Sequence, residues 1–306
     1  MSSNVLNYKL ILMAFLWASS YPLGRWLSIY EAPETIVASR VFLAFLFLKV
    51  IAKIRGEAEI PFTAATIGQF FLLGFFGFCI HNFLMFEALE HTEAGKGAVI
   101  NGAIPIVIMI FDFIIFRRKI SFYATCGVVL SFFGVVLVVS DGHPLRLLTG
   151  VLGLGELLFL IAISGWAMYS IIGRPLLDKY PPVQVTAYAC LAGFILIFPA
   201  SLVNLDSAIQ MMSNSAVLLI LAVQGLLTMG LGFFWYYEGV KKLGAVNASM
   251  YLNLIPIFGI FLAYVGLREL PTFSILLGAV AIILGVVLVT KGSDMSSNIN
   301  KNNISS

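Results

Sequence analysis

The side chains of this chain that could do chemistry are few, and most of them recur at a constant spacing. His81-Asn82 stands in a run otherwise made of Phe, Leu, Ile and Gly. An imidazole there could bind a carboxylate when protonated or relay protons; it could equally be neutral and donate a hydrogen bond to a neighbouring helix. Asn101 and Asn253 lie four and three residues before Pro105 and Pro256. A proline removes a backbone donor and frees a carbonyl one turn back. Pro105 and Pro256 are therefore expected to kink their helices, with the two amides either satisfying the freed groups or facing a ligand at the bend. Trp17 and Trp166 match one another at an offset of 149 residues, and Tyr169 follows Trp166 by about one turn. They either wall an aromatic cavity or pack within a helical bundle. Trp235 and Tyr237 fit an interfacial aromatic belt.

The ionisable residues within apolar runs form the second group. A charge at the bilayer centre costs at least ~2.5–3.5 kcal/mol and normally marks function. Arg40 needs a partner, and Glu31, Glu34 and Glu87 lie on the same side of the expected topology. Glu87 and Glu238 are mirrored across the two halves of the chain, as are Arg25 and Arg174. Such residues either cap or snorkel from helix ends, or form polar gates at opposite ends of a pathway. Glu156 lies about two turns into its run, so it joins Arg40, Glu87 and Glu238 as a gating, proton-carrying or polar-pairing residue. No Gly-rich phosphate loop, nucleophile–base spacing or metal-ligand spacing occurs, so neither an enzyme activity, a cofactor nor a metal is expected. Cys79, Cys126 and Cys190 fall inside apolar runs and read as small buried side chains.

The elements that must position these residues are membrane helices. The chain is 60% hydrophobic and 11% charged, with a mean hydropathy of +1.00, far from soluble composition. Runs of about 20 mostly apolar residues, punctuated by charge, Pro and Gly, fall near 8–29, 35–54, 66–88, 95–116, 121–140, 150–173, 182–203, 215–239, 245–267 and 271–290. They give ten spanning helices, five in each half.

The halves repeat. Trp17-Ala18 recurs as Trp166-Ala167, Gly24-Arg25 as Gly173-Arg174 and Pro33 as Pro182. At an offset of 151, Glu87 maps to Glu238, Ile104-Pro105-Ile106 to Ile255-Pro256-Ile257, and Gly134-Val135-Val136-Leu137 to Gly285-Val286-Val287-Leu288. An odd number of helices per copy makes the second copy enter the membrane upside down. With both termini inside, thirteen Lys and Arg fall on the cytoplasmic side and only Lys96, Arg146 and Arg268 on the other, which agrees with the positive-inside rule. The expected organisation is an all-α integral membrane protein: residues 1–145 and 146–292 as inverted five-helix repeats, and 293–306 as a disordered cytoplasmic tail. The first run lacks a small-residue cleavage site and reads as a retained helix. Inverted repeats of this kind are a mark of secondary transporters.

Several segments resemble the drug/metabolite transporter superfamily, specifically its EamA-type ten-helix branch. They are Leu16-Trp17-Ala18-Ser19-Ser20-Tyr21-Pro22, Arg40, Tyr237-Glu238-Gly239-Val240-Lys241-Lys242-Leu243-Gly244-Ala245, Asn253-Leu254-Ile255-Pro256, Arg268-Glu269-Leu270, and Gly278 to Leu288. The resemblance covers about residues 8–290. It implies an exporter or exchanger of amino acids, other metabolites or drugs, multi-pass in the inner (cytoplasmic) membrane. One departure stands out: Glu269 occupies the family's usual acidic position, but its first-half counterpart is Arg118.

The resulting expectation is alternating access through a central cavity lined by helices 1, 3, 4, 6, 8 and 9. Helices 5 and 10 would lie at the periphery, packed through Gly127, Gly134, Gly278 and Gly285. His81, Asn82, Trp17, Asn101, Trp166, Tyr169 and Asn253 are the expected substrate-binding residues. With few deep fixed charges, such a cavity suits amino acids, aromatic metabolites or drugs over strongly charged solutes. A passive facilitator or channel on the same fold is the alternative, and a membrane enzyme a more distant one. The expected partners are a small-molecule substrate and membrane lipid, with no nucleic acid, and the protein a monomer or loose dimer.

Overall fold

The computed structural model describes residues 3–116, 122–145 and 153–304. Arg117, Arg118, Lys119 and Arg146, which enter the charge count and the repeat comparison, lie outside the described residues. Ten long helical segments account for nearly all the rest. They are α1 (Ser3–Leu27), α2 (Pro33–Ile54), α3 (Ala64–His91), α4 (Ala94–Asn101 continued by Ile104–Phe116) and α5 (Phe122–Val139) in the first half. The second half holds α6 (Leu154–Lys179), α7 (Pro182–Ser201), α8 (Ser215–Leu243), α9 (Ala245–Leu267) and α10 (Phe273–Ile304). No strand occurs among the described residues. Seven segments (α2, α3, α4, α6, α7, α8 and α9) are long and apolar enough to cross a membrane, and α5 and α10 carry shorter apolar stretches.

Local sequence explains where these helices begin and end. Pro33 and Pro182, matched across the repeat, open α2 and α7, where a fixed φ suits the first helical position and the missing N–H costs nothing. Thr63 and Thr66 form a reciprocal capping box at the start of α3. One residue, Gly244 at φ 83°, separates α8 from α9, a left-handed turn that glycine adopts without steric cost. α6 runs six residues past its expected end, through Pro175 to Lys179. α10 likewise continues to Ile304, into the polar stretch expected to be a disordered tail.

The packing repeats under exchange of each helix with the one five places on. α1 packs on α8 and α9 as α6 packs on α3 and α4, and α2 on α8 as α7 on α3. The pairs α2–α7, α4–α9 and α5–α10 map onto themselves. Direction is visible in the side chains. Lys49, late in α2, lies 3.2 Å from both Gln184 and Tyr188, early in α7, while Asn204, just past α7, donates to Glu34 at the start of α2 at 3.0 Å. The two helices therefore run antiparallel, as an inverted pair must. α5 and α10 pack through glycines, as expected: a methyl on Gly134 would lie 2.9 Å from the Gly278 carbonyl oxygen, and one on Gly285 2.5 Å from that of Gly127.

Both proline-bearing helices are interrupted. α4 breaks at Gly102–Ala103, directly after Asn101, and α9 tightens to a 3₁₀ turn over Met250–Asn253. Each interruption precedes its proline by two or three residues, where the missing N–H leaves the ladder open. The breaks meet, since a methyl on Gly102 would lie 2.6 Å from Pro256 Cγ. A second matched irregularity has no proline to announce it: α3 and α8 widen to π-helix over Phe75–Phe83 and Gln224–Gly232. Such π-segments are rare and concentrate at functional sites.

Candidate functional site

These irregular stretches converge on one cavity in the middle of the bundle. Its empty space is about 370 Å³ including its mouth, and it is lined by Trp17, Ser20, Tyr21, Arg40, His81, Asn82, Met85, Asn101, Ile104, Trp166, Thr228, Phe233 and Ile255. The six expected helices all contribute, and α2 joins them through Arg40. Widening α3 and α8 to π geometry shifts carbonyls out of register, and side chains collect them. Asn82 Nδ2 donates to the Gly77 carbonyl five residues back at 2.7 Å, and the Trp17 indole N–H donates to the Thr228 carbonyl at 2.9 Å. Gly232, at the end of the second π-segment, leaves the space that the Trp17 indole occupies.

The repeat-matched tryptophans meet across the cavity. Their ring centroids are 4.9 Å apart at 82°, an edge-to-face contact. Phe233 lies 5.3 Å from Trp17 and 5.1 Å from Trp166, and Tyr236 5.6 and 5.1 Å from the same two rings. Each such pair contributes about 0.5–1.5 kcal/mol beyond area burial, so the wall is stiff. Tyr169 backs Trp166 at 5.1 Å and does not line the cavity. Tyr237, expected in an interfacial belt, is fully buried and stacks on Tyr169 at 4.8 Å and 7°. That belt reading is corrected: the ring finds an aromatic partner in the bundle, and a neighbouring carbonyl, of Tyr169, accepts its hydroxyl at 3.2 Å.

The polar residues divide by neighbourhood. His81 Nδ1 lies 2.9 Å from the Ala162 carbonyl oxygen of α6, so this nitrogen carries the proton and donates. The ring also lies 4.8 Å from Trp166. Asn101 Nδ2 donates to the Tyr21 hydroxyl, leaving its Oδ1 without a partner. Asn253 of α9, one residue off the repeat register of Asn101, also has an unpartnered Oδ1 but lies outside the cavity lining. Among the prolines, Pro105 and Pro256 act through the breaks described above.

Arg40 departs from expectation. It is 1% exposed, yet none of Glu31, Glu34 and Glu87 pairs with it. Glu34 takes Asn204, and Glu87 lies 3.8 Å from His91 on its own helix. The guanidinium instead donates from Nη2 to Ser20 Oγ at 3.3 Å and lies 4.6 Å from the Phe86 ring centroid, with Nε and Nη1 unpartnered. The cavity lining thus carries one fixed charge, the Arg40 cation.

The remaining carboxylates lie at the ends. Glu238 of α8 accepts from Lys9 of α1 at 2.7 Å. Lys96 of α4 bridges Glu156 of α6 at 2.8 Å and Asp141 at 2.9 Å, and Thr92 Oγ1 donates to the same Glu156 oxygen at 2.9 Å. The helix directions place these two clusters at opposite ends of the bundle, one above the cavity and one below it. Glu87 and Glu238 are thus not equivalent: only Glu238 joins two helices. Arg25 caps the end of α3, donating to the carbonyls of Leu89 and Glu90 at 2.7 and 3.1 Å. Glu269 accepts from the Gly95 N–H at the start of α4 at 3.3 Å, where a carboxylate suits the helix dipole. Burial pushes its carboxyl above the usual range. Among the described residues the one grouping of metal-ligand type is Glu87, Glu90 and His91, at the partly exposed end of α3.

Sequence reasoning missed Ser20, Tyr21, Thr228 and Phe233. Tyr21 was accessible, since it lies one helical turn beyond Trp17 and Ser20 lies three residues on. Thr228 and Phe233 enter only because the π-segment rotates α8, and no residue pattern marks it.

A multi-pass helical bundle with inverted packing and a polar-aromatic cavity between its halves defines a membrane transporter of small molecules. The model of the EamA-like transporter family matches residues 7–140 and again 153–291, and the chain belongs to that family. It is 25% identical over 287 residues to "Uncharacterized transporter YyaM" of Bacillus subtilis (strain 168), covering 92% of this chain and 93% of that one. An "Uncharacterized transporter" of Archaeoglobus fulgidus is 26% identical over 256 residues, covering 83% and 84%. A "Probable terminal-alkyne amino-acid exporter" of Streptantibioticus cattleyicolor is 23% identical over 287 residues, covering 93% of each. A solved crystal structure superposes with a TM-score of 0.65 at 16% identity, over 96% of this chain and 99% of that one, and supports the fold.

Proposed function

We propose that the protein is a secondary transporter of an inner (cytoplasmic) membrane, exporting amino acids or related small metabolites by alternating access between two inverted units, residues 1–145 and 146–292. The observation that carries this reading is the contact of Trp17 with Trp166 at 4.9 Å, which places the same residue of each repeat at the wall of one central cavity. A pathway closed and opened by rocking one unit against the other needs its binding site on that symmetry axis. The end clusters Lys9–Glu238 and Lys96–Glu156 serve as the two gates, and the crossed breaks at Gly102 and Pro256 as the hinge. His81, Asn82 and Asn101 give the cavity its hydrogen-bonding face, and Trp17, Trp166 and Phe233 its apolar one. The amino-acid reading draws support from the name of the Streptantibioticus cattleyicolor relative.

The test is efflux from proteoliposomes preloaded with the twenty common amino acids, with and without amino acids outside. A carrier accelerates efflux when substrate is present on the far side. Efflux indifferent to external substrate favours a passive channel, and no flux of any amino acid through folded protein refutes the amino-acid assignment.

A further inference from the structure

Among the described residues, no carboxylate answers the charge of Arg40, a buried cation. Its side chain is 1% exposed, it forms part of the cavity wall, and no Asp or Glu lines that cavity. The three acidic residues nearest in the topology lie elsewhere: Glu34 holds Asn204, Glu87 faces His91, and Glu31 is exposed in a left-handed turn. Of the guanidinium nitrogens, Nη2 has Ser20 Oγ, while Nε and Nη1 have nothing. A buried charge left without a counter-ion is strongly unfavourable. Where one persists in a membrane helix facing a cavity, it normally marks a substrate or ion pathway.

We propose, resting on the transport reading above, that Arg40 is the anchor for the carboxylate of the transported solute. A guanidinium presents its N–H groups as a planar fork that matches the two oxygens of a carboxylate, a fit that an ammonium does not reproduce. Both carboxylate-matching edges of a guanidinium, Nε with Nη2 and Nη1 with Nη2, include Nη2; Ser20 takes one of its two N–H groups while Nε and Nη1 are open, so one edge keeps both donors for a carboxylate. Phe86, 4.6 Å from the guanidinium carbon, and the Ser20 hydroxyl hold the group in place from behind and beside. The rest of the solute then lies against Trp17, Trp166 and Phe233, which confines the class to small carboxylates with an apolar or aromatic body. A phosphate ester or dicarboxylate would bring a second charge, and the lining offers no second fixed cation.

The experiment compares leucine and phenylalanine with their amides and with the corresponding decarboxylated amines. Each is tested as a competitor of amino-acid flux and as a ligand read by intrinsic tryptophan fluorescence, in the wild-type protein first. The expected result is at least thirtyfold weaker competition and binding by the amides and amines than by the acids. Arg40→Gln is expected to lower kcat/KM at least tenfold, mainly through KM, with Arg40→Lys recovering part of the loss. Amides or amines that bind as well as the acids overturn the proposal, as does an Arg40→Gln protein of unchanged KM. The wild-type comparison stands even if Arg40→Gln fails to fold. Flux without preference for carboxylates refutes the anchor and leaves the transport reading intact. Binding selective for carboxylates without flux does the reverse, and absence of both flux and binding overturns both.

Discussion

Lys96→Met would leave Glu156 buried without its cation, and the geometry sets the size of the loss. Lys96 Nζ lies 2.8 Å from Glu156 Oε1, with 8% and 9% of the two side chains exposed. At an effective dielectric near 20 such a pair attracts by about 6 kcal/mol, much of it offset by desolvation of the two charges. Removing one member of a buried pair typically costs about 3–5 kcal/mol, because the survivor keeps its desolvation without its partner. The lower end, about 3 kcal/mol, is expected here, since Thr92 still donates to Glu156 at 2.9 Å. Glu156→Gln should cost only about 1 kcal/mol: Asp141, 2.9 Å away, still holds Lys96, and the amide oxygen still accepts. The double change Lys96→Met with Glu156→Gln should recover most of the loss, as both charges are then gone. Thermal unfolding of the four proteins in one detergent, analysed as a double-mutant cycle, reads the coupling directly. If the cluster also closes this end of the pathway, Lys96→Met should raise the rate at which a cysteine introduced in the cavity by Met85→Cys is labelled by about tenfold or more, the equivalent of 1.4 kcal/mol. A Lys96→Met protein that melts with the wild type, with coupling below about 0.5 kcal/mol, would refute the reasoning.

Three further outcomes follow from other parts of the structure. Gly278→Val should destabilise by about 1–3 kcal/mol through overpacking, since a methyl there already lies 2.8 Å from the Gly134 carbonyl oxygen. Gly68→Ala, where nothing lies within 4 Å, should be neutral or stabilising by about 0.5–1 kcal/mol, and equal melting shifts for the two would remove close packing as the cause. His81→Asn keeps a donor for the Ala162 carbonyl and should preserve the pH profile of transport, whereas His81→Leu should lose about 1 kcal/mol of stability; a profile altered by the Asn variant would show that the ring carries protons. Glu269 has its carboxyl held above the usual 4.5, chiefly by burial, against the opposing Gly95 N–H. The folded protein thus binds this proton more tightly than the unfolded chain, so the stabilisation is complete below pH 4.5 and is lost as pH rises through the folded value. Glu269→Gln should flatten the fall of melting temperature above about pH 4.5, and an unchanged slope would exonerate Glu269.

The helical class of this protein was legible from one dimension because bilayers impose one-dimensional rules. A spanning segment must be long, apolar and internally hydrogen-bonded, so Pro, Gly and charge mark its ends wherever they occur. The breaks in α4 and α9 followed from Pro105 and Pro256 by the same local logic, and the α5–α10 contact from glycines recurring at Gly127, Gly134, Gly278 and Gly285. Trp17, Trp166, His81, Asn82 and Asn101 were identifiable as cavity residues because their polarity or size is anomalous at their depth.

Pairing was a different matter. The expected topology puts Arg40 on the same side as Glu31, Glu34 and Glu87, but the bundle gives Glu34 to Asn204 and leaves the guanidinium facing the cavity. Repeat symmetry makes Glu87 and Glu238 look alike, yet Lys9 reaches only Glu238. Lys96, Asp141 and Glu156, spread over 61 residues of chain, meet at one point. The π-segments of α3 and α8 turn Thr228 and Phe233 inward without any residue that announces it. The helices, their number and their duplication are written in residue order, since these depend on transfer free energies and backbone chemistry summed along the chain. Which charges neutralise one another, and that Arg40 faces the cavity without a carboxylate, emerges only on folding, because it depends on contacts of a few ångströms between helices far apart in sequence.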